Sequence, residues 1–206
     1  MKQKHFIDSH KAVTFVVVLI LMAVYNQWDN PTAWVYLALH GTYGLMWNLK
    51  SRIFPDQSWE RPTGILYGLV IWGSLSLYWI APWLLTWRGV QVPLWYMAIC
   101  ISLYTFGVFM HFASDMQKYV NLKSHPDKLF CDGLWTHIRN PNYFGELLIY
   151  SGFGLLARHW LAIVVILLWI ISFWLPNMLR KDRILSQLDG FKEYKAHSKL
   201  FIPFVF

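Results

Sequence analysis

Long apolar runs separated by short polar stretches dominate the chain. A helix needs about 20 residues to cross the hydrocarbon core of a bilayer, and most of the runs approach or exceed that length. The runs occupy residues 12–25, 33–49, 63–87, 90–113, 143–157 and 160–178. A lipid-exposed backbone must satisfy its hydrogen bonds internally, so the pattern favours helices. It predicts an all-α, polytopic membrane protein with about six transmembrane helices.

The last two runs are separated only by Arg158 and His159, which predicts a short helical hairpin at the C-terminal end of the membrane region. Four crossings followed by this hairpin, and six full crossings, both leave the two chain ends on the same side of the membrane. The length of 206 residues is that of one domain. We therefore expect a single membrane domain over residues 1–206.

The composition supports this class. Of the residues, 56% are apolar and only 14% are charged, whereas a soluble domain carries about 25% charged residues. The 13 Trp and 11 Tyr are the ring content expected of aromatic belts at two membrane interfaces. Cys100 and Cys131 have no histidines at ligand spacing, so no metal site is expected.

The positive charges predict the orientation. With six crossings, all of the 18 Lys and Arg residues except Arg88 and Arg158 fall on one side of the membrane. This bias predicts a multi-pass protein of the cytoplasmic (inner) membrane with both termini in the cytoplasm. The net charge of +7 then reflects topology and attraction to anionic membrane lipids, and it does not indicate nucleic-acid binding.

Polar residues form three groups on the predicted cytoplasmic side, at 111–123, 139–146 and 180–197. Pro141 suits the first turn of a helix, so Asn142 and Tyr143 are expected at a helix N-terminus, which attracts anions. The alternatives are a solvated helix end for the first group, a dipole-complementing role for Glu146, and topology alone for the cations of the third group. Together the groups predict a cationic, amide-rich pocket suited to a negatively charged nucleotide cofactor.

Three segments in the second half carry a family resemblance. They are Ser114-Asp115, Arg139-Asn-Pro-Asn142-Tyr-Phe-Gly145-Glu146, and Phe191-x-x-Tyr194 leading to Phe201-Ile-Pro203-Phe-Val-Phe206. In order and spacing they resemble the C-terminal domain of the steroid 5-alpha reductases, the sterol C14-reductases and their bacterial relatives. The resemblance implies that residues 113–206 form a cofactor-binding half. It implies NADPH contacts from Asp115, Lys123, Arg139, Asn142, Tyr143, Glu146, Arg183 and Tyr194.

The Arg-x-Pro-x-Tyr part of this motif is also similar to the isoprenylcysteine carboxyl methyltransferases and phospholipid methyltransferases, which use S-adenosylmethionine. Those methyltransferases typically carry a Glu-Glu pair after the final span, whereas this chain has Arg180-Lys-Asp182-Arg183. A basic cluster suits the 2′-phosphate of NADPH. The reductase interpretation is therefore preferred, with a membrane methyltransferase as the alternative and a non-catalytic scaffold as a third class.

The N-terminal half, residues 1–112, is expected to hold the substrate. The resemblance implies an acidic residue and a tyrosine that polarise a substrate carbonyl, but the second span has no carboxylate. On that span His40, Tyr43 and Trp47 share a helical face. His40 or Tyr43 is the predicted general acid, and the alternative is an aromatic packing stripe with a hydrogen-bonded histidine. The overall hypothesis is an NADPH-dependent reductase of a conjugated double bond in a hydrophobic, lipid-like substrate that enters between the spans.

Overall fold

The computed structural model describes residues 1–126 and 128–206. Its α-helices are α1 (Gln3–Val24), α2 (Pro31–Ile53), α3 (Ile65–Leu75), α4 (Ile80–Trp87), α5 (Leu94–Ser124), α6 (Pro141–Gly154), α7 (Trp160–Trp169), α8 (Leu175–Leu185) and α9 (Phe191–His197). No β-strand occurs in this part of the chain, which confirms the all-α prediction.

Four helical segments within the described residues are long and apolar enough to cross a membrane, which confirms a polytopic membrane protein. They are Gln3–Val24, Ile65–Trp87, Leu94–Ser124 and Trp160–Leu185. Helix α2 is 23 residues long, which is also sufficient, but it carries polar side chains along its length. Helices α3 and α4 are joined by a 3₁₀ turn at Ser76–Trp79, and α7 and α8 by a π-helical turn at Ile170–Trp174.

The predicted C-terminal hairpin is present, but its second arm is longer than the sequence indicates. Helix α6 continues into a 3₁₀ turn at Leu155–Ala157, and Arg158 reverses the chain with a left-handed φ of 45°. The second arm then runs to Leu185, past the predicted end at residue 178. The π-helical turn carries the helix into α8, where Pro176 falls in the first turn and does not end the segment.

The chain divides into two compact units, each formed from two stretches. The first comprises Met1–Tyr104 and Tyr150–Val165. Its core includes one stripe of α1, where Ile7, Lys11, Thr14, Val18 and Met22 are buried at helical spacing. Helix α2 approaches closely at Gly44, because a Cβ there would meet the backbone carbonyl of Lys11.

The second unit comprises Thr105–Ile149 and Ile166–Phe206. Its part of α5 packs against its part of α6 through glycine, and a Cβ on Gly107 would lie 2.6 Å from the amide nitrogen of Ile149. The C-terminal segment pairs with the loop before α6 in a short parallel bridge. The Arg139 N–H donates to the Lys199 carbonyl at 2.8 Å, and the Lys199 N–H donates to the His137 carbonyl at 2.9 Å. These bonds fix the loop that carries Arg139 and leads into α6.

Candidate functional site

A buried ion pair joins the second and third polar groups inside the second unit. Arg139 is 6% exposed, and its Nε donates to both carboxylate oxygens of Asp182 on α8 at 3.1 Å. Its Nη1 donates to the carbonyl of Ser198 at 2.6 Å and to the Ser198 hydroxyl at 3.2 Å. The guanidinium therefore connects three segments that are distant in sequence, and these donors are used within the protein.

Asn140 and Lys181 extend the same network. Asn140 is fully buried, and its amide donates to the carbonyl of Leu200 at 2.9 Å. Lys181 donates to the Arg139 carbonyl at 2.9 Å and to the Asn140 side-chain oxygen at 3.1 Å, while its ammonium lies 4.1 Å from the centroid of the Trp135 ring. The C-terminal segment is thus bonded along the loop by side chains as well as by the backbone bridge.

Tyr194, another predicted cofactor residue, also faces the loop. Its hydroxyl donates to the carbonyl of Trp135 at 2.5 Å, and burial raises the pKa of Tyr194 well above its ordinary value. The side chain therefore stays neutral and acts as a hydrogen-bond donor at physiological pH. In this arrangement Tyr194 and Arg139 position the loop, a role that residue type and spacing did not indicate.

A second set of contacts joins the first polar group to α6. The Nδ1–H of His111 on α5 donates to the backbone carbonyl of Asn142 at 3.1 Å. Asp115, one turn further along α5, places a carboxylate oxygen 3.9 Å from His111 Nε2. The side-chain oxygen of Asn142 is buried and has no hydrogen-bond partner among the described residues. A buried amide oxygen without a partner is costly, so a ligand donor at this position would be stabilising.

The remaining predicted cofactor residues also lie in the second unit. The Tyr143 ring lies 5.7 Å from that of Trp174, and Glu146 is half-buried one turn further along α6. Lys123 and Arg183 are exposed near the C-terminal ends of α5 and α8. The Lys123 ammonium, which lies 4.5 Å from the centroid of the Tyr119 ring, suits a phosphate as a point charge, and the Arg183 guanidinium suits one as a planar, bidentate donor.

The two predicted catalytic residues lie in the first unit, inside a buried aromatic cluster. His40 Nδ1 and the Tyr36 hydroxyl are hydrogen-bonded at 2.9 Å, and the His40 ring is stacked on Phe153 with centroids 4.1 Å apart. Tyr43 is fully buried, with the Lys11 ammonium 4.3 Å from its ring centroid. The packing stripe considered as an alternative is therefore present, with its histidine hydrogen-bonded.

The sequence did not indicate a buried lysine–tyrosine hydrogen bond in this cluster. Lys11 is 5% exposed, and its Nζ donates to the Tyr150 hydroxyl oxygen at 2.6 Å. The Lys11 ammonium also lies over the rings of Trp47 and Tyr150, at 4.8 and 5.1 Å. By sequence, Lys11 is only one of the cations on the predicted cytoplasmic side. The available signal was its position, four residues after Ile7 and three before Thr14, on the stripe of α1 that faces the core.

Asp8, one turn before Lys11 on α1, places a carboxylate against the second span. It accepts hydrogen bonds from the Trp47 indole at 3.1 Å and from the Ser51 hydroxyl at 2.8 Å. A polar cleft at this end of the first unit is lined by residues of α1, α2 and the following loop, including Lys4, Asp8, Trp47, Lys50, Ser51 and Glu60. Trp47 belongs to both the cleft and the aromatic cluster, so charged groups of both signs lie near one side of the cluster.

The fold and these contacts define a helical membrane protein. Its second unit has a polar loop held by side-chain hydrogen bonds, and its first unit has a buried aromatic cluster that contains Lys11 and Tyr150. In sequence, the chain belongs to the 3-oxo-5-alpha-steroid 4-dehydrogenase family, whose profile matches residues 65–206. This match confirms the resemblance to the steroid 5-alpha reductases. Family membership identifies a membrane oxidoreductase of the steroid-reductase type, acting on a C=C bond. A comparison with curated proteins found no match.

Proposed function

We propose that this protein is an NADPH-dependent reductase of a conjugated double bond in a hydrophobic, steroid-like lipid. The observation that carries the proposal is the family match over residues 65–206, which includes all eight predicted cofactor residues. The enzyme would lie in the cytoplasmic membrane with both termini facing the cytoplasm, as the distribution of Lys and Arg indicates.

The residues of the second unit fit a dinucleotide. The buried side-chain oxygen of Asn142 lacks a partner among the described residues, and it would accept a hydrogen bond from a carboxamide or ribose donor of the cofactor. Asp115 and His111 would hold the start of α6 in place through the Asn142 carbonyl. Tyr143 and Glu146 would complete the contacts from α6.

The predicted cofactor residues outside α6 would have two different roles. Lys123 and Arg183, both exposed, would attract the phosphates of NADPH. Arg139 and Tyr194 would act by holding the loop against the C-terminal segment, as their hydrogen bonds to Asp182 and Trp135 support. The bound cofactor supplies a hydride, and the chain supplies the contacts that bind it and the proton that completes the reduction.

The first unit would supply the proton and hold the substrate. His40 and Tyr43, the predicted general acids, are buried in the aromatic cluster, which would exclude water from a bound substrate. A lipid would reach this unit from the bilayer, since α3 presents exposed apolar side chains such as Leu66, Leu69 and Val70. Such a surface is expected where a helix faces hydrocarbon.

Thermal unfolding of the detergent-solubilised protein tests the cofactor assignment. NADPH should raise the unfolding temperature, whereas S-adenosylmethionine and S-adenosylhomocysteine should leave it unchanged, because only a ligand that binds the folded state stabilises it. Asn142→Ala should remove the response to NADPH. The control is Gln187→Ala, an exposed amide in the same unit, which should respond as the wild type does.

Stabilisation by S-adenosylhomocysteine but not by NADPH would support a membrane methyltransferase and overturn the reductase. No response to any of the three nucleotides would favour a non-catalytic scaffold. A normal NADPH response in Asn142→Ala would show that the cofactor binds elsewhere.

A further inference from the structure

We propose that His10 on α1 binds a hydroxyl group of a flat, apolar lipid, and so determines which lipid the first unit selects. This assignment rests on the proposed function only in taking that lipid to be the one that is reduced, because the binding itself needs neither NADPH nor the second unit. The residues that carry the argument all belong to the first unit, and they are Phe6, His10, Thr14, Gly68, Trp72 and Trp79.

His10 is a buried imidazole whose two nitrogens both lack a hydrogen-bond partner among the described residues. The residue is 2% exposed. Buried polar atoms in native proteins are almost always paired, and leaving one unpaired is costly. An imidazole kept from water favours its neutral form, which offers one N–H donor and one acceptor nitrogen. A ligand group that donates or accepts a hydrogen bond would therefore be stabilised here.

His10 is the middle one of three residues on the face of α1 that meets the span Ile65–Trp87. One turn before it, the Phe6 ring packs at Gly68, where an added Cβ would clash with that ring. One turn after it, the Thr14 hydroxyl accepts a hydrogen bond from the Trp79 indole N–H at 3.0 Å. The contact between the helices is thus apolar on one side of His10 and hydrogen-bonded on the other. Between these two contacts lie the unmatched nitrogens of the imidazole.

Two tryptophan rings surround the imidazole. The Trp79 ring stacks on that of His10, with centroids 4.7 Å apart and planes at 12°. The Trp72 ring meets His10 edge-on, with centroids 5.2 Å apart and planes at 80°. Flat apolar walls next to one polar group are the complement of a flat apolar ligand that carries one polar substituent.

Access to His10 requires the Trp72 ring to turn aside. Trp72 is half-buried on α3, and Leu69, three residues earlier on the same helical face, is exposed. Trp79, in contrast, is held by its hydrogen bond to Thr14. A lipid that arrives from the bilayer would therefore displace the Trp72 ring and lie against that of Trp79.

The depth of His10 suits a hydroxyl group. Helix α1 begins at Gln3, so His10 lies about 10 Å along the helix axis from that end. Lys2 and Lys4 flank the same end, where cations are expected at the lipid headgroups. The headgroup layer is about 5 to 8 Å thick on each side of a bilayer. A hydroxyl bound to His10 would thus lie close to the polar interface, as the polar group of an amphiphilic lipid does.

Other ligand groups fit the imidazole less well. The described residues contain no group of three His, Cys, Asp or Glu side chains that could hold a metal ion, so His10 has no companion ligands for one. A charged group would have to be dehydrated among apolar rings, which is costly. A hydroxyl is neutral, and it both donates and accepts a hydrogen bond, so it can serve either nitrogen.

The binding test compares two relatives of progesterone, a 3-oxo-4-ene steroid. They are 20-hydroxypregn-4-en-3-one, in which a hydroxyl replaces the 20-keto group, and pregn-4-en-3-one, which has no oxygen there. Equilibrium binding of the tritiated steroids to the detergent-solubilised protein, without NADPH, gives both affinities. The wild type should bind the hydroxysteroid about tenfold more tightly, the value of one good hydrogen bond.

His10→Phe keeps an aromatic ring and removes both nitrogens, so it should bind the two steroids equally. His10→Leu, with a smaller side chain, should lose the preference in the same way and provides the measurement if the Phe ring is too large for the packing. The matched control is His5→Phe, because His5 is an exposed histidine on the same helix, and it should retain the preference.

Stability and turnover distinguish recognition from a structural role. Without ligand, His10→Phe should unfold at the temperature of the wild type or above it, because it removes two buried polar atoms that lack partners. With NADPH added, this variant should raise the KM for the hydroxysteroid about tenfold and leave kcat within about twofold, because the lost bond contributes equally to the ground state and the transition state. The KM for pregn-4-en-3-one should not change.

The outcomes separate the two claims. A hydroxyl preference that depends on His10, without NADPH oxidation, would overturn the reductase and leave the lipid site standing. NADPH oxidation with no hydroxyl preference, or with a preference that His10→Phe and His10→Leu both retain, would overturn the site and leave the reductase standing. A wild type that neither prefers the hydroxysteroid nor oxidises NADPH would overturn both.

Discussion

Arg139 and Asp182 form a buried pair whose energetic role depends on both partners being present. The pair is almost inaccessible to solvent, with side-chain exposures of 7% and 10%, so solvent screening is weak. Taking two charges out of water is costly, and the further bonds to Ser198 offset part of that cost. Removing either partner leaves the other charged, buried and incompletely bonded.

Asp182→Ala should therefore destabilise the protein strongly, by about 3 to 5 kcal/mol, and should lower the unfolding temperature in detergent. The double variant Arg139→Met/Asp182→Leu should be more stable than Asp182→Ala, because it leaves no unpaired charge. Asp189→Ala serves as the control, since Asp189 is exposed in the same unit and should have little effect. Equal stability of Asp182→Ala and Asp189→Ala would contradict the structural role of the pair.

At this scale the sequence singled out several residues that lie in one unit, but it did not indicate their partners. The spacing of Arg139, Asn142 and Tyr194 indicated a site, and all three lie in one unit. It could not indicate that the guanidinium of Arg139 faces Asp182, because that contact joins segments 43 positions apart. Lys11 was missed for a related reason, since a lysine near a chain end is usually solvated and only packing shows its burial.

At the scale of elements, the close approach of α5 and α6 within the second unit depends on small residues. A Cβ on Gly107 would lie 2.6 Å from the amide nitrogen of Ile149 and 2.7 Å from the carbonyl of Gly145. Both neighbours are backbone atoms, which cannot move without displacing a helix. Glycine at such positions allows membrane helices to pack at short distance.

Gly107→Ala should therefore destabilise the protein by about 1 to 3 kcal/mol through overpacking. Gly73→Ala is the matched control, because Gly73 is also helical but no atom lies within 4 Å of its added Cβ. That variant should be neutral or more stable by about 0.5 to 1 kcal/mol, the usual difference between the two residues in a helix. Unfolding in increasing SDS measures both, and a Gly107→Ala variant as stable as Gly73→Ala would contradict the packing.

The helices were predictable because a bilayer leaves an apolar run few alternatives. The irregular turns at Ser76–Trp79 and Ile170–Trp174 were not, since neither contains a proline or glycine that would mark it. Such turns depend on packing with other elements. The first of them carries Tyr78, whose ring stacks on that of Tyr150 with centroids 4.2 Å apart.

For the whole molecule, the family match and the two compact units divide the chain differently. The match begins at residue 65, so the first 64 residues, which include Lys11, His40 and Tyr43, lie outside it. The predicted cofactor residues all lie within both the match and the second unit. The family therefore accounts for the reaction class, whereas the predicted general acids His40 and Tyr43 must be argued from the contacts of this chain alone.

The most direct test of the account is the product formed by the purified protein from NADPH and progesterone, analysed by mass spectrometry. The proposed reduction should give a saturated ketone that has gained one hydride and one proton. Deuterium at the transferable position of NADPH should appear at the β carbon. Unchanged steroid in the presence of NADPH, together with a methylated lipid when S-adenosylmethionine is supplied to the protein in native membranes, would contradict it.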